Sequence, residues 1–272
     1  AVLCALQSLN VNAHPIDSAE CDVLNTLKTE KFDRVFIVLH GRGGEDGILQ
    51  GALEHIQIPY TGSGVLASAI GMDKLKTKQI WQSVGLPVLT SYEIHAVEDL
   101  QEAAKIIGFP MAVKPSKEGS SIGVSRVNDA NTLEAAWLNA GGHHSPVFAE
   151  PWIVGNGEYT AAILKGTPLP LIRMETDLEF YDFDAKYLRE DTRYFCPSGL
   201  DANIESDLQQ IVLSAFNALE AKTWGRVDFV LDDQGKPWLL EINTVPGMTT
   251  HSLVPMAAKQ AGIDFPTLCW MI

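Results

Sequence analysis

The chain has 272 residues, with 20 Lys and Arg against 34 Asp and Glu, and the formal net charge of −14 excludes a general polyanion-binding surface and hence a nucleic-acid partner. Its 46% hydrophobic and 20% charged residues allow a large core, which excludes a disordered chain and suits one large domain or two to three lobes. No run approaches the roughly 18 apolar residues of a membrane helix, and the opening AVLCALQSLN lacks the basic start of a secretory signal, so a soluble chain without a membrane partner is expected.

The sequence opens without an initiator Met, inside an apolar pattern at helical spacing (Val2, Leu3, Leu6, Leu9), and an upstream segment is expected. DRVFIVLH (33–40) reads as a strand, GRGGEDG (41–47) as a glycine loop and ILQGALEHI as a helix. IPYTGSG ends that unit, with a lobe boundary near Gly64. Asp73 stands at an N-cap position ahead of KLKTKQIWQSVG, a helix that stops at Gly85 before Pro87. Next come strand LPVLTSY, helix VEDLQEAAKIIG, strand FPMAVKPS, a glycine-serine loop, strand IGVSRV, helix NTLEAAWLNA from cap Asp129 and strand SPVFAEPWI. They make an α+β lobe ending near Glu150. Strands GEYTAAILKG and TPLPLIRMET lead to residues 177–199, which mix aromatics with both charge signs and keep no period, so a mobile lid is expected there. A helix over about Ser206–Leu219, a hairpin and a short helical stretch complete the chain. Cys4, Cys21, Cys196 and Cys269 are scattered, which favours reduced thiols in a cytoplasm over disulfides or zinc.

The hairpin carries the most chemistry. RVDFVL and PWLLEIN flank DDQGK, and a turn centred between Gln234 and Gly235 sets Asp228 opposite Glu241 and Arg226 opposite Asn243. Strand alternation puts all four on one face. Two carboxylates and an amide held within about 5 Å suit a hard divalent cation such as Mg²⁺. The competing reading is a solvated face on which Arg226 pairs the acids.

Lys74, opening a helix, and Lys114, in AVKPS, are single cations placed by rigid elements, as in phosphate binding. Gly119, Ser120, Ser121 and Gly123 offer backbone N–H groups that could cradle an anion. For either lysine the plainer reading is a solvated charge. GSSIG also fits the nucleophile elbow of a serine hydrolase, with Ser121 as nucleophile, but VSRVND after it alternates like a strand where the elbow needs a helix. GRGGEDG departs from the dinucleotide pattern, and no Walker A sequence occurs. His40 and His251 sit where sites form in α/β proteins, whereas His143 and His144 read as surface residues. Trp152, after Glu150 and Pro151 at a lobe junction, suits a purine or ordinary interdomain packing.

Taken together, HGRGGEDG, YTGSG, MDK, KPSKEGSSIGVS, FYDFDAKY and WGRVDFVLD…LLEINTVPGMTTHSLVP resemble the D-alanine:D-alanine ligase family of ATP-grasp enzymes over essentially the whole chain. The resemblance implies a three-lobed ATP-grasp fold of class α+β / α/β. An N-terminal α/β substrate lobe would span 1–64, a central lobe 65–150, and a C-terminal lobe 151–272 with the metal hairpin and the lid. It implies ATP-dependent joining of two D-alanines through a D-alanyl phosphate, for peptidoglycan precursors and so for cell wall and cell shape, in a cytoplasmic homodimer.

Carried onto matching positions, Lys74 and Lys114 resemble ATP phosphate ligands, Glu150, Trp152 and Ile153 the adenine-binding link, Glu158 the ribose ligand, and Lys186 the lid lysine that closes on the γ-phosphate. Asp228, Glu241 and Asn243 correspond to ligands of two Mg²⁺ ions, with Mn²⁺ able to substitute. Arg226 and the Gly247 backbone match the groups that stabilise the tetrahedral intermediate. Ser252 and Leu253 match those holding the second D-alanine's carboxylate. Ser120 and Tyr187 resemble the pair linking central lobe to lid, Tyr187 favouring D-alanine over a D-lactate acceptor, and His40 the substrate-site histidine. There are two departures. The family's opening strand, glycine loop and acidic residue would precede Ala1, and the alternative expectation is therefore a truncated form that binds ATP without turning it over. At the junction, GNGE from Gly155 to Glu158 is one residue longer than the family pattern, and Pro151 stands where many members carry Lys.

Overall fold

The computed structural model describes residues 1–119, 122–176, 192–249 and 251–272. Among them, the strands form two antiparallel sheets. The smaller has the order β1–β4–β2–β3: β1 (Tyr92–Ile94), β2 (Met111–Pro115), β3 (Ser125–Val127) and β4 (Val147–Pro151). Helices α6 (Val97–Ile107) and α7 (Leu133–Asn139) cover one face. Leu100, Ala103, Leu133, Ala136 and Trp137 bury there against Met111, Val113, Val147 and Ala149. Because β2 alternates, this packing turns its other residues, Ala112 and Lys114, to the uncovered face.

The larger sheet runs β10–β9–β5–β7–β8, with β6 on β5. Its strands are β5 (Gly155–Leu164), β6 (Thr167–Pro168), β7 (Ile172–Thr176), β8 (Thr192–Phe195), β9 (Trp224–Asp232) and β10 (Pro237–Asn243). Alternation on β5 divides the core in two. Ala161 and Ile163 meet α5 (Lys74–Ser83) and α8 (Ala202–Ala218) through Trp81, Leu208, Val212 and Phe216. Ala162 and Leu164 meet α9 (Leu253–Gln260), α10 (Phe265–Met271) and α1 (Val2–Ser8). Trp81 is fully buried and its indole N–H donates to the Ala215 carbonyl at 2.8 Å, fixing α5 to α8. Asp73 caps α5 by accepting from the Lys76 N–H. Residues 65–83, that is α4 (Val65–Gly71) and α5, therefore share their core with the larger sheet although they precede the smaller one in the chain. A separate cluster of Leu27, Ile37, Leu53 and Val245 ties α2 (Val23–Thr29) and α3 (Ile48–His55) to the rest.

Several expected elements differ. The run 33–40 is not a strand but makes one parallel bridge, Val35 to Tyr60, leaving Val38 and Leu39 48% and 41% exposed. A β-rich run whose pairing stops at a single bridge has too few ladder bonds to order as a strand. LPVLTSY yields its strand only from Tyr92. Its earlier part crosses between the sheets, where the Leu239 N–H donates to the Pro87 carbonyl at 2.9 Å. In the segment 177–199, Thr192–Phe195 is β8, paired with β7 from Arg173↔Phe195 to Thr176↔Thr192, so those residues are not irregular. The lid expectation for 177–191 lies outside the described residues. α8 starts at Ala202, not Ser206, because Asp201 caps it by accepting from the Asn203 N–H.

Candidate active site

A cavity of about 930 Å³ lies between the sheets. The smaller sheet contributes Lys114, Glu150 and Arg126, and the larger contributes Glu158, Arg173, Glu175, Arg193 and Glu241. Lys74 enters from the start of α5, and Trp152, Ile153 and Val154 form the connection between the sheets.

At the back of the cavity Glu150, 2% exposed, sits between two ammonium groups, ion-paired to Lys114 and, at 2.9 Å, to Lys78. Burial by itself would raise its carboxyl, but the Lys114 and Lys78 charges outweigh that and draw it down to about 2. Burial pulls Lys78 below the ordinary lysine value, and Glu150 works against that pull. Lys78 also donates to the Leu239 carbonyl of β10 at 3.0 Å. Sequence reading missed this lysine. Its signal is position, one turn after Lys74 and three residues before Trp81, within the buried stripe of α5.

Trp152 lines the cavity, and its backbone N–H donates to the Pro110 carbonyl at 3.0 Å. The Arg126 guanidinium lies over its ring, 5.5 Å from the centroid. The extra residue before Glu158 is absorbed as a bulge. Register on β9 shifts between Gly155 and Glu158, and Glu158 still lines the cavity. Gly155 is required there, since a Cβ would fall 2.1 Å from the Leu231 carbonyl oxygen.

On the hairpin, Asp228 opposes Glu241 and Arg226 opposes Asn243, the expected register. It is reached by a different path, because Leu239 pairs with Phe229 and a bulge before Glu241 shifts the strand by one residue. Arg226 forms two bonds to Asp228, at 2.8 and 2.7 Å, Asn243 donates to the same carboxylate at 3.1 Å, and Thr160 of β5 donates as well. Arg226 does pair the acid, as the solvated-face reading had it, yet Asp228 is 2% exposed and not solvated. Glu241 faces Lys74, which lies 2.7 Å from its carboxylate and also donates to the Glu118 carbonyl. Among the described residues no three His, Cys, Asp or Glu side chains cluster as a metal centre. The hairpin set is two carboxylates and an amide.

A small adjoining cavity is lined by Lys74, Glu241, Asn243, Thr244 and Glu45. Glu45 was also missed, and its signal is an acid, next to Asp46, inside the glycine loop. Burial raises its carboxyl, opposed by the N–H of Gly41, which donates to it at 2.9 Å, and by the charge of exposed His40. Gly247, Ser252 and Leu253 line neither cavity. Ser252 precedes α9 and accepts from the Thr249 N–H at 2.9 Å, and a Cβ on Gly247 would lie 2.8 Å from its hydroxyl. His251 is exposed. Ser120, Ser121, Lys186 and Tyr187 lie outside the described residues. The chain after GSSIG runs into β3 where an elbow requires a helix, which removes the support for a serine hydrolase. Among the described residues no helix is long and apolar enough to cross a membrane.

Two sheets closing on a cleft that receives Lys114 from the smaller sheet, and the hairpin carboxylate Glu241 with Lys74 beside it from the side of the larger, are the build of an ATP-grasp protein. Solved structures agree. A D-alanine–D-alanine ligase from Bacillus anthracis, crystallised with ATP, superposes with TM-score 0.85 at 33% identity over 100% of this chain and 88% of that one. The VanG D-Ala:D-Ser ligase from Enterococcus faecalis gives 0.80 at 31% identity over 88% and 71%. Family models described as the D-ala D-ala ligase N-terminus and C-terminus match residues 9–63 and 80–272. The D-alanine–D-alanine ligase of Methylococcus capsulatus is 55% identical over 100% of this chain and 87% of its own length. That of Stutzerimonas stutzeri is 53% identical over 98% and 85%. The chain belongs to the D-alanine–D-alanine ligase family.

Proposed function

We propose that the chain joins two D-alanines into D-alanyl-D-alanine at the expense of ATP, supplying a peptidoglycan precursor, as a cytoplasmic homodimer. The observation that carries this is the cavity between the sheets, with Lys74 and Lys114 directed into it and the Asp228–Glu241 hairpin at its edge.

A carboxylate is a poor electrophile. The first D-alanine's carboxylate attacks the γ-phosphorus of ATP, releasing ADP and forming an acyl phosphate. The amine of the second then attacks the acyl carbon, loses a proton and expels inorganic phosphate. Lys74 and Lys114 neutralise phosphate oxygens, Trp152, Ile153 and Glu150 bound the base, and Glu158 holds the ribose. Arg226 and the Gly247 N–H meet the oxyanion of the tetrahedral intermediate, and Ser252 with Leu253 holds the acceptor carboxylate. His40 orients the first D-alanine. Lys186, Ser120 and Tyr187, from the family resemblance, close the lid and exclude water from the acyl phosphate.

Asp228, Glu241 and Asn243 fit Mg²⁺. Every side chain offers an oxygen donor, the chemistry that suits a hard divalent cation, and the two carboxylate charges are met in this structure by Arg226 and Lys74. When bound, Mg²⁺ would supply charge neutralisation at the phosphates.

The test is ADP release with ATP, Mg²⁺ and D-alanine, set against L-alanine and no amino acid, with mass detection of the dipeptide. D-specific ADP release matched by dipeptide is expected. ATP binding without release would leave a nucleotide-binding protein and refute the ligase.

A further inference from the structure

Lys78 lies behind the cavity and lines no part of it, yet it joins three elements. From α5 its ammonium reaches Glu150 of β4 at 2.9 Å and the Leu239 carbonyl of β10 at 3.0 Å, one strand from each sheet. Lys78 and Glu150 are 3% and 2% exposed at the side chain, whereas Lys114, on the other oxygen of Glu150, is 11% exposed and lines the cavity. The three groups therefore make a buried cation, a buried anion and a cation at the cavity wall, with one net positive charge. Without Lys78, Glu150 and Lys114 would be a closed neutral pair, and the wall would carry no net charge toward an anion. Leu239 also directly precedes the bulge that aims Leu240 and Glu241 into the cavity, so the same ammonium holds both edges of the cleft.

We propose that Lys78 is a positioning residue of the nucleotide cleft: by neutralising Glu150 it leaves Lys114 its charge for the phosphates of the bound nucleotide. The inference rests on the ATP reading above. Its signature is a charge count. Lys78→Met takes the triad from one net positive charge to none, Glu150→Gln raises it to two, and the double variant returns it to one.

Isothermal titration of the full chain with ATP and, separately, adenosine measures this, because adenosine reports the base and ribose contacts without the phosphates. Lys78→Met should weaken ATP roughly 10- to 50-fold, the scale of a unit-charge interaction at the wall of a partly wet site, with adenosine within about threefold of wild type. Lys78→Met/Glu150→Gln should recover the wild-type ratio of the two affinities, and Lys78→Arg should keep most of it. Where Lys78→Met alone does not fold, the double variant, which carries no unpaired buried acid, and Lys78→Arg still decide. An ATP-to-adenosine ratio unchanged in Lys78→Met, or a double variant with the ratio reduced, overturns the role of Lys78. A wild-type chain that binds neither nucleotide overturns the ATP reading on which it stands.

Discussion

Replacing Glu241 with Gln separates a structural from a metal-binding role for the hairpin. The Glu241 carboxylate lies 2.7 Å from the Lys74 ammonium, the two side chains being 16% and 15% exposed. At an effective dielectric constant near 20, charge centres about 4 Å apart attract by about 4 kcal/mol, and desolvation of both groups offsets most of that. Gln keeps the shape and still accepts a hydrogen bond from Lys74, so the net loss of stability should be about 1–2 kcal/mol. For a chain of this size that is a fall in melting temperature of roughly 2–8 °C, with the fold retained. Turnover should suffer more. Removing one anionic donor should lower ADP release by roughly 100-fold or more and shift its Mg²⁺ requirement upward. The assay is ADP release across a Mg²⁺ titration, with melting followed by circular dichroism on the same samples. Wild-type ADP release by the variant at ordinary Mg²⁺ would refute the metal assignment, and a loss of activity with an unmoved Mg²⁺ dependence would reduce Glu241 to a support for Lys74.

Glu150, drawn from an ordinary value of 4.5 to about 2, stabilises the fold above pH 4.5 and loses that contribution as pH falls toward 2, a difference on the order of 3 kcal/mol. Urea unfolding at stepped pH should show the decline, and Glu150→Gln should flatten it; equal slopes in both proteins would exclude Glu150 as its source. Gly247→Ala sets a Cβ 2.8 Å from the Ser252 hydroxyl and must displace it from the Thr249 N–H. We expect KM for D-alanine to rise about tenfold, the order of one lost hydrogen bond, with nucleotide affinity unchanged, and a KM equal to wild type would detach Ser252 from the acceptor site. Trp152→Ala removes a cavity wall and the seat of the Arg126 guanidinium. ATP should bind about tenfold more weakly by titration calorimetry, and an unaltered affinity would place the base elsewhere.

How far the site was legible depends on the range of the interactions that build it. The hairpin register follows from local alternation and a turn, and it pairs Asp228 with Glu241 as expected. The bulge between Leu239 and Glu241 was invisible because nothing in PWLLEIN marks it; the backbone is shifted where Lys78, from a distant helix, takes the Leu239 carbonyl. Lys74 was legible through its cap at Asp73, a contact of three residues' span. The partner of Lys78, 72 positions away on another sheet, was not, since a lone lysine in a helical stripe does not say which acid it will meet. The run 33–40 failed for the opposite reason. Its local propensity is strong, but a strand exists only where neighbours accept its ladder, and its ladder stops at the one bridge to Tyr60.

The net charge alone would argue against an anionic ligand, and the charge distribution removes the objection. The chain carries 20 Lys and Arg against 34 Asp and Glu. The cavity wall carries five of each: Lys74, Lys114, Arg126, Arg173 and Arg193 against Glu118, Glu150, Glu158, Glu175 and Glu241. A quarter of the chain's cations thus line one cleft, and Lys78 adds a further positive charge just behind it. Four of the five acids are held by cations, Glu150 by Lys114 and Lys78, Glu241 by Lys74, Glu175 by Arg173 and Arg193, and Glu118 by Arg42. The excess of acid therefore lies on the outer surface, where water and salt screen it within about 10 Å. Inside the cleft the low-dielectric walls let a single unscreened ammonium outweigh it, which is why an acidic protein can hold a triphosphate there.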